Sequence, residues 1–335
     1  MQSLDRLSGA TVFVTGADGF IGSHLVEVLV EFGARVTALV YYNSWNSYGW
    51  LQDLDPAIRG EVEILPGDIR DAERIRGAVS GQEYVFHLSS LIGIPYSYVA
   101  SRSYVDTNVT GALNVLEACR ANARLRRLVH VSTSEVYGSA QRVPIDEDHP
   151  LVGQSPYSAS KIAADKLAES FHLSFGLPVV TARPFNTFGP RQTARAVIPT
   201  IASQLLAGTD ELRLGSVSPT RDFNYVRDTA RAMTLLGCCA EAEGQVVNIA
   251  TGKEASIGDV ASMLMRIIGR AVPIVADDAR IRPDRSEVSR LLGDASKLKA
   301  MTGWTPRHDL TDGLTQLVEW MRPRSAFFNP KGYTI

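Results

Sequence analysis

Cysteine is scarce in this chain: three residues among 335, Cys119, Cys238 and Cys239. Two are adjacent and none stands in a CxxC or Cys/His spacing, so neither a disulfide framework nor a metal site is expected. Long apolar runs are missing too, which argues against a membrane-spanning helix. The stretch from Met1 to Gly9 has no signal-peptide core, and a soluble, cytoplasmic protein without a membrane partner is expected. No charge of one sign dominates, because 34 Lys and Arg oppose 36 Asp and Glu for a net charge of −2. Such a balance gives no general attraction to nucleic acid. Lysine is the rare cation, six residues against 28 arginines. An arginine fork suits phosphate and carboxylate, although composition and surface placement account for most of the 28. What remains is a chain that is 45% hydrophobic and 21% charged, enough for about two domains with cores of their own.

Internal repeats and low-complexity segments are absent as well. Thr11–Thr15 is a short β-branched run that stops at glycine, and Phe20 to Phe32 then shows helical spacing. Arg35–Val40, Glu61–Leu65, Tyr84–Leu88, Leu128–Ser132 and Val179–Ala182 repeat the strand pattern with helix-like segments between them. Apolar strands alternating with helices predict an α/β fold, a doubly wound parallel Rossmann sheet covered on both faces. After Arg183, prolines and glycines cut the chain into short pieces until Asp228–Ala240 reads as helix and Gln245–Ile249 as a strand rejoining the sheet. Residues 1–184 plus 222–250 are therefore expected to form the dinucleotide-binding domain. Residues 185–221 plus 251–335, with amphipathic helices at Ile257–Ile268 and Leu310–Met321, would form a second, smaller α/β substrate lobe.

Thr15-Gly16-Ala17-Asp18-Gly19-Phe20-Ile21-Gly22 reads GxxGxxG directly after a strand and opening a helix. Glycines there allow a tight turn and close approach to a pyrophosphate, and the helix start offers free N–H groups. Gly16, Gly19, Phe20, Ile21 and Gly22 are the expected cofactor contacts. The acidic residue that ends the second strand in such sites, and binds the adenosine ribose, is missing near Val40. With nothing basic in its place either, NAD is expected rather than NADP. Asp68 and Ile69, after the third strand, would face the adenine, Asp68 alternatively being a helix cap.

Tyr157 and Lys161 stand four residues apart at the start of a helix-like segment, on one helical face. A neighbouring ammonium stabilises a phenolate, so the tyrosine is read as a base. Ser132-Thr133-Ser134-Glu135-Val136-Tyr137-Gly138 ends the preceding strand. TGxxGxxG, the STSEVYG strand end and YxxxK together resemble the extended short-chain dehydrogenase/reductase superfamily of nucleotide-sugar epimerases and dehydratases. Arg183-Pro184-Phe185-Asn186, Gly189-Pro190-Arg191, Arg221-Asp222-Phe223-Asn224-Tyr225-Val226 and Gly303-Trp304-Thr305-Pro306 extend the resemblance over essentially the whole chain. Tyr41–Leu51 (YYNSWNSYGWL), Ile94–Tyr98 (IPYSY) and Ala194–Ile201 (ARAVIPTI) look most like bacterial UDP-N-acetylglucosamine 4,6-dehydratases of the legionaminic-acid type.

The resemblance implies that Tyr157 takes the proton of the sugar 4-hydroxyl while hydride leaves C4 for NAD. Lys161 would lower the tyrosine pKa and hold the nicotinamide ribose, and Thr133 would bind the 4-oxygen. Glu135 would remove the C5 proton and protonate the departing 6-hydroxyl, before hydride returns to C6. Ser134 replaces the Asp of dTDP-glucose dehydratases and receives no acid role. Asn186, Arg221 and Arg282 match positions that bind the diphosphate of a UDP-sugar. For Arg191 and Arg195 a surface position is an equal alternative, Trp45 and Trp50 either roof the site or pack beneath a loop, and His87 reads as a satisfied core residue. The segments Tyr104–Ala121 and Tyr157–Phe175 would pair across a two-fold axis as the four-helix bundle of a homodimer. UDP-glucuronate decarboxylase, nucleotide-sugar 4-epimerase and a non-catalytic NAD-binding sensor are the alternatives; sensors tend to lose the Tyr/Lys pair that this chain keeps.

Overall fold

The computed structural model describes residues 4–280, 283 and 286–328. Six strands come first in the chain: β1 (Thr11–Thr15), β2 (Arg35–Tyr41), β3 (Val62–Gly67), β4 (Tyr84–His87), β5 (Arg127–Val131) and β6 (Val179–Pro184). Then follow β7 (Asn186–Phe188), β8 (Leu212–Leu214), β9 (Thr220–Tyr225), β10 (Val246–Ile249), β11 (Glu254–Ser256), β12 (Ile274–Ala276) and β13 (Arg290–Leu291). One seven-stranded sheet has the order β10-β6-β5-β4-β1-β2-β3, and each pairing in it is parallel. The strand order reverses beside β1 and β4, and in open α/β sheets ligands bind at that switch, outside the carboxyl ends of the strands. The fold is thus α/β, a Rossmann-like sheet with a smaller lobe built on a mixed sheet of β7, β9, β11 and β13.

Burial of apolar side chains on both faces explains why the strands read as near-continuous hydrophobic runs. On one face Leu25 and Leu29 of the helix Phe20–Glu31 meet Met233 and Leu236 of the helix Val226–Cys238 over β1 and β5. On the other, Ile75, Val115, Leu116 and Phe171 cover Phe13 and Val85. A separate cluster centred on Phe188, Ile201, Leu205, Leu264 and Leu317 makes the core of the smaller lobe. Trp304 is buried where the parts meet, its indole N–H donating to the Asp228 carbonyl at 3.1 Å.

Two sequence expectations need correction. The helix expected over Tyr104–Ala121 is interrupted: Ser101–Tyr104 and Gly111–Arg120 are α-helical, but Val105–Thr110 is a wider π-helical turn. That turn carries Asn108 inward, where it bonds both backbone groups of Leu91 and the Ser160 hydroxyl. Helical periodicity cannot reveal a bulge stabilised by partners distant in sequence. Arg191, for which a surface position was an alternative, is buried. Its fork pairs with Glu27 at 2.8 and 3.1 Å, tying the turn after β7 to the first helix.

Burial opposes the Glu27 charge, but the His24 hydrogen bond and the Arg191 pair outweigh it and hold the carboxyl at about 2. A folded-state pKa below the unfolded value adds stability above the unfolded pKa, which is lost as pH falls toward the folded one. The stability gap between wild type and Glu27→Gln should accordingly be full at neutral pH and shrink from about pH 4.5 toward 2; urea denaturation across that range measures it.

Candidate active site

The glycine turn lies between β1 and the helix Phe20–Glu31, at the carboxyl edge of the sheet. Gly16 has φ +67° and its missing Cβ would stand 2.8 Å from the Ser89 amide. A Cβ on Gly22 would run into the Gly16 carbonyl oxygen. Both positions require glycine, and the helix start at Gly19 carries no side-chain cap. Its first N–H groups are left for an anion, which fits a dinucleotide pyrophosphate. Phe20 and Ile21 begin that helix and are partly buried against the smaller lobe's core. Ile69 is buried, and its carbonyl accepts from Asn114. Asp68 does not cap the following helix, a role taken by Asp71; its carboxylate accepts from Arg70 Nε at 3.0 and 3.1 Å and from Nη2 at 2.5 Å.

Ser155, Pro156 and Ser158 start the long helix Pro156–Phe175 with reciprocal Ser155–Ser158 hydrogen bonds, a capping box, and Gly176 ends it in the left-handed region. This start puts Tyr157 in the first turn, beside the end of β5. Tyr157, Lys161 and Asp165 follow at four-residue intervals on one face, all buried. Lys161 Nζ donates to the Val131 carbonyl, the last residue of β5, at 2.7 Å. One turn further, Asp165 accepts from Arg183 Nε and Nη2 at 3.0 and 2.9 Å, with His130 Nε2 at 3.3 Å. Arg183 also donates to the Tyr137 hydroxyl at 3.0 Å, which donates to Asn248 at 2.7 Å. Sequence reading missed Asp165, although its spacing after Lys161 was a signal; its partners on β5 and β6 were not.

Thr133 Oγ1 accepts from the Glu135 amide at 3.2 Å and opens the short turn Ser134–Tyr137. Burial pushes the Tyr157 phenol up, the Thr133 hydroxyl draws it partly down, and the Glu135 carboxylate raises it again. Thr133 and Glu135 share the turn beyond β5, and the Tyr104 ring is edge-on to Tyr157 at 6.2 Å. Burial lowers Lys161 to about 8, with the Asp165 charge opposing the fall. The Lys161 ammonium is turned to the Val131 carbonyl.

Asn186 lies on β7 with its side-chain oxygen buried and unpartnered. Arg221, on β9, is buried; it donates to the Thr220 carbonyl at 2.9 Å and faces Glu287 at 3.4 Å. Arg282 lies outside the described residues. Arg195 is exposed, yet its charge reaches the Tyr104 phenol. Trp50 packs against Trp320 at 5.3 Å, whereas Trp45 is 88% exposed. His87 Nδ1 bonds the Thr15 hydroxyl at 2.8 Å, and burial holds the ring below its ordinary pKa. Among the described residues no acidic, His or Cys cluster could hold a metal ion, and no helix is long and apolar enough to cross a membrane.

The family model described as GDP-mannose 4,6 dehydratase matches residues 13–317. The chain belongs to this family of nucleotide-sugar dehydratases and epimerases. It is 32% identical over 323 residues to a dTDP-glucose 4,6-dehydratase of an Actinoplanes species, covering 95% of this chain and 99% of that one. A putative UDP-glucose 4-epimerase of Methanocaldococcus jannaschii is 30% identical over 93% of this chain and 98% of its own length. A solved UDP-glucuronic acid 4-epimerase variant from Bacillus cereus, in complex with a fluorinated UDP-sugar and NAD, superposes with a TM-score of 0.86. Its identity is 27%, over 94% of this chain and 99% of that one.

Gly22→Ala places a methyl against backbone at the centre of the cradle. It should cost about 1–3 kcal/mol by overpacking and weaken dinucleotide binding; thermal unfolding and a fluorescence titration with NAD read the two effects separately.

Proposed function

We propose that this chain is an NAD-dependent nucleotide-sugar 4,6-dehydratase acting on UDP-N-acetylglucosamine. The observation that carries the reading is the capped turn after β5, where the Thr133 hydroxyl accepts from the amide of Glu135 and so sets a carboxylate-bearing residue directly after it. A 4-epimerase needs no second base, and a decarboxylase loses carbon dioxide without removing a C5 proton. A carboxylate at this point has a task in elimination; UDP-glucuronate decarboxylases resemble the chain in the same Thr-Ser-Glu strand end, and loss of carbon dioxide from UDP-glucuronate distinguishes them.

The glycine turn, Ile69, Tyr157 and Lys161 would hold the dinucleotide. When bound, NAD would supply the hydride acceptor for C4 and the hydride donor for C6, together with a positive charge that favours a phenolate. Tyr157 takes the proton of the 4-hydroxyl, and Thr133 holds the same oxygen. The resulting ketone acidifies C5–H. Glu135 removes that proton and, as a carboxylic acid, protonates the departing 6-hydroxyl; when hydride is added at C6, the proton gained at C5 balances the one Tyr157 took from the 4-hydroxyl. Ser134 is buried and carries no acid function. Arg221, Arg282 and Asn186 would bind the diphosphate by charge and geometry. UDP-N-acetylglucosamine is chosen for the likeness of Tyr41–Leu51, Ile94–Tyr98 and Ala194–Ile201 to dehydratases using it.

The same reading divides the chain at residues 1–184 plus 222–250 and 185–221 plus 251–335, although the boundary at 222 cuts β9, whose residues Phe223 and Tyr225 belong to the smaller lobe's core. It also pairs two copies through the helices of Ser101–Arg120 and Pro156–Phe175, on which Val105 and Leu173 are exposed.

Incubation with UDP-N-acetylglucosamine should give a product lighter by one water, read by mass spectrometry. No product from any UDP-, GDP- or dTDP-sugar refutes the dehydratase, and loss of carbon dioxide from UDP-glucuronate selects the decarboxylase. Glu135→Gln should slow water loss by about 10²–10⁴-fold while near-ultraviolet absorbance of reduced cofactor accumulates. Normal turnover by this variant would place the base elsewhere.

A further inference from the structure

Strand β2 ends at Tyr41 and is followed by Tyr42, Asn43 and Ser44, with no acidic side chain among them. A carboxylate nevertheless stands at its tip. Asp18 Oδ2, from the glycine turn, accepts the Tyr41 N–H at 3.0 Å. The segment after β2 closes back on the same residue: the Trp50 N–H donates to the Asp18 carbonyl at 3.0 Å. Gly49, with φ +55°, lets it pass, since a Cβ there would stand 2.5 Å from that carbonyl oxygen. Asp18 is thus held from two sides between the phosphate cradle and the end of β2.

Between those two features the adenosine ribose of a dinucleotide lies in a doubly wound fold. Asp18 is half-buried and its hydrogen bonds come from backbone N–H groups, those of Tyr41 and of Asp18 itself. A carboxylate has about four lone-pair sites, so it retains acceptor capacity for a vicinal diol. Burial raises its pKa, a cost that two hydroxyl donors would relieve. A phosphate on the 2′-oxygen would instead meet a like charge. Arg70, whose charge interacts with the Tyr41 phenol, would have to neutralise that phosphate, but its guanidinium is bound in a fork to Asp68.

We propose that Asp18 supplies, from the glycine turn, the ribose-binding carboxylate that β2 lacks, and that it makes the site select NAD over NADP. This rests on the cofactor reading given above. Asp18→Asn is the discriminating substitution, because its side-chain oxygen still accepts from Tyr41 and only the charge is lost.

Protein stripped of nucleotide is titrated with NAD and NADP by calorimetry, and wild-type preference for NAD is expected. In Asp18→Asn the NAD-to-NADP affinity ratio should fall by about ten- to a hundredfold, the worth of a charged hydrogen bond. Part of the fall should be a gain in NADP affinity, which a merely structural role for Asp18 would not produce. Asp18→Ala also removes the acceptor for Tyr41; its thermal midpoint should drop below that of Asp18→Asn while its ratio falls equally. An unchanged ratio in Asp18→Asn, or a wild type that binds both nucleotides equally, overturns the assignment. A wild type that binds neither overturns the cofactor reading and the assignment with it.

Discussion

The buried pair of Asp165 and Arg183 is the contact on which the site depends. Both side chains are almost fully enclosed, where an unpaired charge would cost several kcal/mol. Each satisfies the other, and the geometry leaves little choice of position. Arg183 belongs to β6 and Asp165 to the long helix, so the pair fixes the rotation of that helix against the sheet. Lys161 and Tyr157 lie one and two turns back on the same face. Their placement beside β5 follows from that ion pair.

The same burial sets the chemistry of the groups that line the site. Lys161 is lowered to about 8 and Tyr157 is raised, both first of all by loss of water. Asp222 performs a comparable structural task at the joint between lobes. It accepts from the amides of Thr251, Gly252 and Gly293, so β9, the segment after β10 and the approach to the last helices meet at one carboxylate.

Much of the fold was legible because it rests on local pattern. The parallel strands announced themselves as short β-branched runs, and the helices Ile257–Ile268 and Leu310–Met321 match their apolar spacing residue for residue. Thr133, Glu135, Tyr157 and Lys161 were legible by motif. Arg191 and Asn108 were not. Arg191 is buried because Glu27, distant in sequence, awaits it, and Asn108 bends its helix because Leu91 and Ser160 accept the bend.

Sequence alone determined the elements, the glycine turn and the chemical inventory, since each is written in neighbouring residues. Scarcity of cysteine and lysine was already informative: one of only six lysines stands in the site, at Lys161. Tertiary structure decided which charges are spent inside the protein. Arg183 and Arg191 are committed to Asp165 and Glu27, and the carboxylate missing from β2 is found on the preceding turn at Asp18. Pairing of this kind depends on distance in space, and no spacing along the chain encodes it.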